Sequence, residues 1–287
     1  MDAVAVADTL EMTADDYELI RRLVYTHSGI NLGDKKAQLV RARLGKIVRA
    51  HGLRSFREYY RRVEQDTSGQ ELCGLLDAIS TNTTHLFRER RHFHLLHKLL
   101  QDWLADRTWR ARHSEIRIWS AACSSGEEAH SIAMVAHDVL LHYSGVGLKI
   151  LATDLSTQVL ARARLGLYDL HRVGTVPPNL RQRYLQPVLT EAGPALQLVP
   201  HLRQAITFAR LNLMSPVFPF RKQFDVIFCR NVMIYFDRTT QQTLVAKLAG
   251  QLADGGYLLI GHSETLSGIT HQLTYLEPTV YRKWVQA

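Results

Sequence analysis

From Glu115 onward the chain alternates short strand-like runs with helical segments, and few folds accept that order. EIRIWSAA, LKILATD, ITFARLNL, FDVIFCRN and GYLLIGH are rich in β-branched or aromatic residues. Helical stretches from Ser125 to His142 and from Ser156 to Leu165 lie between consecutive runs, and one from Thr239 to Leu252 lies between the fourth and fifth. This is the β-α-β grammar of an α/β, doubly wound and mostly parallel sheet. TVYRKWV, after Pro278, is expected to close the sheet as an antiparallel strand. Leu170 to Ala205 interrupts the alternation and predicts an inserted helix over Pro178 to Tyr184, followed by a β-hairpin around Glu191 to Pro194.

The first ~80 residues read as helices only. Thr13 with Asp16 opens a helix from Ala14 to about Ser28, ended by Gly29, and a second runs from about Asp34 to His51, ended by Gly52. Ser55 with Glu58 and Ser68 with Glu71 are read as the caps of a third and a fourth. The expected domains are therefore an all-α one over 1–85 and an α/β one over 86–287, entered through a helix from about Glu89 to Leu104. Charge is divided unevenly between them. Lys35 to Arg62 holds ten basic residues and one acid, a local charge of +9, although the whole chain carries only +8. A locally acidic partner is expected there, with Lys35, Lys36, Arg43, Lys46 and Arg49 as the docking residues.

Composition excludes several classes. With 46% hydrophobic residues the chain can bury a large core, and it contains no apolar run of about 18 residues able to cross a bilayer. MDAVAVADTL carries Asp2 and Asp8 where a secretory leader needs basic residues, so a cytoplasmic location without membrane insertion is expected. Cys73, Cys123 and Cys229 are three widely spaced thiols with no CxxC pair, and neither a disulfide framework nor a zinc ribbon follows.

In an open parallel sheet, ligands bind beyond the carboxyl ends of the strands. The first strand is followed by Ala121-Ala122-Cys123-Ser124-Ser125-Gly126-Glu127-Glu128, which has one glycine and therefore neither a G-x-G-x-x-G fingerprint nor a phosphate loop. Glu127 and Glu128 would repel a pyrophosphate but suit a ligand with an ammonium or sulfonium group, although they are also dipole-favourable residues for a helix start. Asp154 after the second strand can accept both hydroxyls of a ribose, or cap the next helix. Asn212-Leu213 and Cys229-Arg230-Asn231 follow the third and fourth runs. Together these strand ends describe a pocket for an adenosine with a charged, phosphate-free tail.

Four stretches carry a family resemblance: TNTTHLFRE at Thr81 to Glu89, WSAACSSGEEAHSIAM at Trp119 to Met134, FCRNVMIYFD at Phe228 to Asp237, and GHSE at Gly261 to Glu264. In order and spacing they resemble the CheR family of chemotaxis receptor methyltransferases over nearly the whole chain. The resemblance implies a Rossmann-like S-adenosylmethionine (SAM)-dependent methyltransferase domain behind a small all-α receptor-docking domain. It implies SAM as donor, S-adenosylhomocysteine as product, and glutamate side chains of a receptor's cytoplasmic helical bundle as acceptors. By position it implies Asn82, Thr84 and Arg88 on the donor side, Glu128 at the methionyl moiety, Asp154 at the ribose, Asn212 and Leu213 at the adenine, and Arg230, Asn231 and Tyr235 around the reacting methyl. Arg88 and Tyr235 are the expected catalytic residues.

Three departures stand out. His130 replaces a common Tyr and Leu86 a frequent Phe, and VLTEAGPAL at Val188 to Leu196 keeps one glycine where members that dock a receptor's C-terminal pentapeptide resemble one another in a Gly-rich turn. Two rival readings are weaker. A nucleic-acid methyltransferase acting on exocyclic nitrogens would resemble others in an Asn/Asp-Pro-Pro-aromatic loop, and Arg230-Asn231-Val232-Met233 stands there instead. A non-catalytic SAM-binding module would be expected to lack Arg88, Asp154 or Tyr235. His92, His94 and His97 have no Asp, Glu or Cys at ligand spacing, so no metal is expected. Cys229 reads as a small buried hydrophobe and Tyr59-Tyr60 as helix packing. The protein is expected to be a monomer that binds no nucleic acid.

Overall fold

The computed structural model describes residues 10–284, so the leader expectation for Met1 to Thr9 lies outside the described residues. The chain divides into two compact units between Thr81 and Asn82, which puts Asn82 and Thr84 in the second. No helix among the described residues is long and apolar enough to cross a membrane.

The first unit is helical: α1 (Ala14–Ser28), a 3-10 turn at Asp34–Lys36, α2 (Ala37–Ala50), α3 (Phe56–Gln65) and α4 (Gln70–Ile79). Ile20 and Val24 of α1, Val40, Leu44 and Val48 of α2, Phe56 and Tyr59 of α3 and Leu75 of α4 are buried, each set at helical spacing. Both halves of the Thr13/Asp16 capping box form, and Asp16 also binds Arg57 of α3 at 2.8 Å. The expected Ser68 cap is met in part: Ser68 Oγ accepts the Gln70 N–H at 3.2 Å, but Gly69, at φ 74°, is the residue that turns the chain, and the Glu71 N–H goes to the Asp66 carboxylate, which accepts it and the Ser68 N–H at 2.8 Å. An ionised acceptor at a positive helix end is the stronger cap of the two.

The cationic helix also needs one correction. Lys35, Lys46 and Arg49 are exposed and Lys36 is half-buried, but Arg43 is half-buried and turned inward. Its Nη1 donates to the carbonyls of Ala78, Ile79 and Ser80 at 3.3, 2.6 and 3.1 Å. Arg43 therefore caps the carboxyl end of α4 and is not part of the exposed cationic face.

The second unit begins with α5 (Arg90–Ala105) and α6 (Arg107–Arg112) and continues as β1 (Glu115–Ala121), α7 (Glu127–Leu140), β2 (Gly147–Asp154) and α8 (Thr157–Leu165). Then come β3 (Leu167–Asp169), α9 (Pro178–Tyr184), β4 (Leu185–Thr190), β5 (Gly193–Leu198) and α10 (Pro200–Ala205). β6 (Ile206–Arg210), β7 (Phe224–Cys229), α11 (Arg238–Gln251), β8 (Leu252–Ile260), β9 (Leu273–Glu277) and β10 (Val280–Lys283) complete it. The main sheet has the order β6-β2-β1-β7-β8-β10-β9, parallel as far as β8 and antiparallel at β10 and β9. β3, β5 and β4 form a separate antiparallel sheet. The hairpin lies where it is expected, while β3, β9, α6 and α10 are additional to the elements expected from the sequence.

Alternate residues of β1 serve opposite faces. Ile116 and Ile118 join Val226, Phe228 and Leu259 in the core that packs Phe93, Leu96 and Leu100 of α5 and Ile132, Val135 and Val139 of α7. Trp119 faces the other way, against Phe218, Phe220 and Phe224, and its Nε1 donates to Thr153 Oγ1 at 2.9 Å. In register, Ala121 sits beside Thr153 and Cys229, so three strands end level. The strand order reverses between β1 and β7, which opens a crevice beyond those ends.

Arg43→Ala should lower the stability of the first unit by about 1–2 kcal/mol, since it frees carbonyls at a helix end from a charged donor. Lys46→Ala, at an exposed position of the same helix, should stay within about 0.5 kcal/mol of the parent. Denaturant unfolding followed by circular dichroism checks both, and equal losses would remove the cap assignment.

Candidate active site

The backbone above the crevice is unusual. Among the described residues six non-glycine ones have positive φ: Phe87 (55°), Glu89 (59°), Ala122 (63°), Ser124 (51°), Asn231 (59°) and Thr279 (70°). All but Thr279 lie in the segment before α5 or in the loops after β1 and β7. Left-handed backbone at residues with a Cβ costs of order 1–3 kcal/mol each and persists where the surroundings impose it. Here the N–H groups of Phe87, Ser124 and Asn231 meet side-chain acceptors, Ser131, Asp154 and Glu264, and not a strand partner.

Two hydrogen-bonded groups gather most of the sequence-predicted residues. In the first, buried Asp154 accepts the Ser124 N–H at 2.8 Å and the Ser156 N–H at 2.9 Å, while Ser124 Oγ donates to the Asn82 carbonyl at 3.1 Å. Ser156 itself caps α8 through the Val159 N–H, so Asp154 is not that helix's cap. Its carboxylate ties the β1 loop to the end of β2. Leu211 N–H bonds the Asp154 carbonyl at 3.0 Å, which brings the β6 end, with Asn212 and Leu213, to the same rim. Leu213 is buried, and Asn212 Oδ1 accepts the Met214 N–H.

The second group is built on Arg230, whose side chain is 2% exposed. Its guanidinium meets Glu89 Oε2 and Glu128 Oε2, each at 2.9 Å, and donates to the Arg88 carbonyl at 2.5 Å. Glu128 also accepts the Ser120 hydroxyl at 2.6 Å. Burial keeps the Glu128 carboxyl above its ordinary pKa although Arg230 opposes it. Burial would raise Glu89 too, but Arg230 together with the His262 N–H and the Asn231 side chain holds that carboxyl below the usual range. The formal charge of the group is −1, a match for a cationic ligand and a mismatch for a phosphate.

Tyr235, half-buried, ends the 3-10 turn Met233–Tyr235. The loop before it is fixed by Glu264, which accepts the Asn231 and Met233 N–H groups at 2.9 and 2.8 Å. Gly261 lies so close that a Cβ there would come within 2.4 Å of Asn231 Nδ2. Glu89, Glu264 and Ser124 are the organising residues that sequence reasoning did not single out, although all three stand inside the quoted motifs. Their partners are remote in sequence, and no periodicity marks them.

The 82–89 segment is fastened along its length. Phe87 N–H donates to Ser131 Oγ at 3.0 Å, Thr175 Oγ1 to the Leu86 carbonyl at 2.7 Å and Arg88 Nη1 to the Thr83 carbonyl at 3.0 Å. Thr84 is held, half-buried, between these anchors. Leu86 and His130, two of the departures from the family pattern, are wholly buried. His130 bonds the Tyr168 hydroxyl, and burial lowers its pKa to about 3, so it packs as a neutral ring. Cys123 and Cys229 are buried thiols whose pKa burial pushes well up, as suits core residues and not nucleophiles. Tyr59 is core, as expected for helix packing.

The residues present fit SAM. A carboxylate stands after β2 beside a strained, phosphate-free loop, and a buried acidic group of formal charge −1 stands after β1 and β7.

Comparison with known proteins bears on the same residues. Residues 82–282 match the family model described as CheR methyltransferase, SAM binding domain, and residues 15–80 match the CheR methyltransferase all-alpha domain. The chain is 41% identical over 275 residues to a chemotaxis protein methyltransferase of Borreliella burgdorferi, covering 96% of each chain. It is 38% identical over 270 residues to chemotaxis protein methyltransferase 2 of Pseudomonas aeruginosa, covering 94% of this chain and 93% of that one. With the chemotaxis protein methyltransferase of Escherichia coli it shares 37% over 279 residues, 96% of this chain and 93% of that one. The chain thus belongs to the CheR methyltransferase family, and its second unit is that family's SAM-binding domain.

Proposed function

We propose that this protein transfers the methyl group of SAM to glutamate side chains in the cytoplasmic helical bundle of chemotaxis receptors, giving glutamate methyl esters and S-adenosylhomocysteine. The observation that carries the reading is the anchored strand-end site, with Asp154 on one side and the Arg230 group on the other. SAM supplies an electrophilic methyl on a sulfonium. A glutamate carboxylate with a pKa near ~4.3 is already ionised at neutral pH, so no general base is needed. What the chain contributes is alignment, and holding reactants in line is worth up to about 7–11 kcal/mol.

In this reading Asp154 accepts the ribose hydroxyls, Asn212 and Leu213 border the adenine, and Asn82 and Thr84 close the donor side. Glu128 and Arg230 form the methionyl end as a fixed pair. Arg88 and Tyr235 orient the reacting ends, and Asn231 shapes the loop between them. Docking falls to the exposed cations Lys35, Lys46 and Arg49 with Lys36, since Arg43 is engaged at α4. An acidic receptor bundle is the partner that such a face steers.

Asp154→Ala should weaken SAM binding about tenfold or more by calorimetry, the loss expected for a charge-assisted acceptor. Asp154→Asn separates the ribose role from the tie to Ser124, since it keeps an acceptor oxygen for the loop; unchanged affinity in both variants would refute the placement. Arg88→Ala and Tyr235→Phe should lower turnover with melting temperatures nearly unchanged, and unfolding of both would make them structural. Methylation of receptor fragments should slow as salt rises, because exposed charges are screened beyond ~8 Å at physiological ionic strength. Charge reversal at Lys46 and Arg49 should slow it likewise, and SAM affinity should not move. Wild-type rates in that variant, or faster methylation of duplex RNA, would count against receptor docking.

A further inference from the structure

An unmet requirement lies beside the Glu89 carboxylate. His92 of α5 is fully buried, and its Nε2 sits 2.7 Å from Thr279 Oγ1. The Thr279 hydroxyl also lies against the Pro278 carbonyl. The other ring nitrogen, Nδ1, is buried and has no hydrogen-bond partner. It faces Glu89 Oε2 at 3.5 Å. His262 Nε2 reaches the same oxygen at 3.8 Å from a side chain that is 55% exposed. The three donor atoms lie within 4.8 Å of one another.

We propose that Glu89, His92 and His262 form a site for a divalent transition-metal ion, with Zn2+ the ion that fits best. Two imidazole nitrogens and one carboxylate oxygen are a zinc donor set, whereas Mg2+ and Ca2+ prefer oxygen alone. Thr279 holds the far ring nitrogen of His92, as outer partners do for metal-bound histidines, and so aims Nδ1 at Glu89. His262 supplies the way in. The opposing force is Arg230, which holds Glu89 Oε2 at 2.9 Å. A metal competes with that guanidinium for one oxygen, so the ion binds reversibly, and its occupancy loosens the grip of Glu89 on Arg230. Of this set the sequence shows only Glu89 three residues before His92, a carboxylate at ligand spacing after all; His262 stands far along the chain, and the nearby His94 and His97 are not part of the set.

The test uses the full chain, freed of metal with a chelator and titrated with Zn2+ by calorimetry and with Co2+ by visible absorption. One equivalent should bind, with cobalt bands of a nitrogen-containing, low-coordinate site. His262→Ala, at an exposed position, should weaken Zn2+ binding by at least about tenfold and abolish the bands, a loss of the size seen when the surroundings of a metal site are removed. His94→Ala and His97→Ala should leave both unchanged. Absence of binding at millimolar zinc, or binding that survives His262→Ala and fails in His94→Ala or His97→Ala, would overturn the site. Neither readout depends on methyl transfer, so the result stands apart from the proposed reaction.

Discussion

The second unit depends on one cation. Arg230 lies buried at the end of β7 and reaches Glu128 at the start of α7, Glu89 at the start of α5 and the Arg88 carbonyl. A guanidinium taken out of water costs several kcal/mol unless its donors are matched, and here three groups from two segments, Arg88 with Glu89 and Glu128, match them. The converse also holds. Without the arginine two buried carboxylates would face each other, and the loops that carry them would have no reason to meet. The left-handed residues Glu89 and Asn231 flank this ion and are kept in that conformation by it and by Glu264.

Backbone strain and electrostatics are therefore parts of one arrangement. Ala122 and Ser124 bend the β1 loop so that the Ser124 amide meets Asp154. Glu264 takes the amides of Asn231 and Met233, and Gly261 has no side chain because Asn231 occupies its space. Asp154 and Glu264 are met by backbone N–H groups, Glu89 and Glu128 by Arg230, and Glu127 by Arg172 and the Ser125 hydroxyl. A site assembled in this way is rigid before any ligand arrives, which is what a reaction limited by alignment requires.

Much of this was legible in the sequence because period and punctuation report local structure. The five runs from Glu115 are the five parallel strands of the main sheet, and the hairpin at Glu191 falls between β4 and β5. β3 escaped because three residues set no pattern of their own, and β9 because Leu273 is buried while Tyr275 and Leu276 are both exposed, which breaks the alternation; both exist by pairing, with β5 and β10. Ser68 misled because a capping box needs only two residue types, while Asp66, two positions earlier, brought an ionised acceptor. Arg43 could be placed on the polar side of α2 but not at the end of α4, since that contact spans 36 residues. Asp154, Arg230 and Asn231 were visible as strand-end residues. Their contacts, Asp154 with Ser124 and Arg230 and Asn231 with Glu89, were not, for the same reason of distance along the chain.

That distance has a consequence for how the molecule is made. Arg230 meets Glu128 and Glu89 across 102 and 141 residues. Contacts of such separation form late, after the loops between them have been closed. On the ribosome the earlier strands and α5 emerge with their carboxylates before the residue that neutralises them has been synthesised. Until β7 is in place, Glu89 and Glu128 must stay in water, and the elements that bear them cannot pack fully. Completion of the core and completion of the pocket are then a single event, and no partly folded chain should hold a formed site.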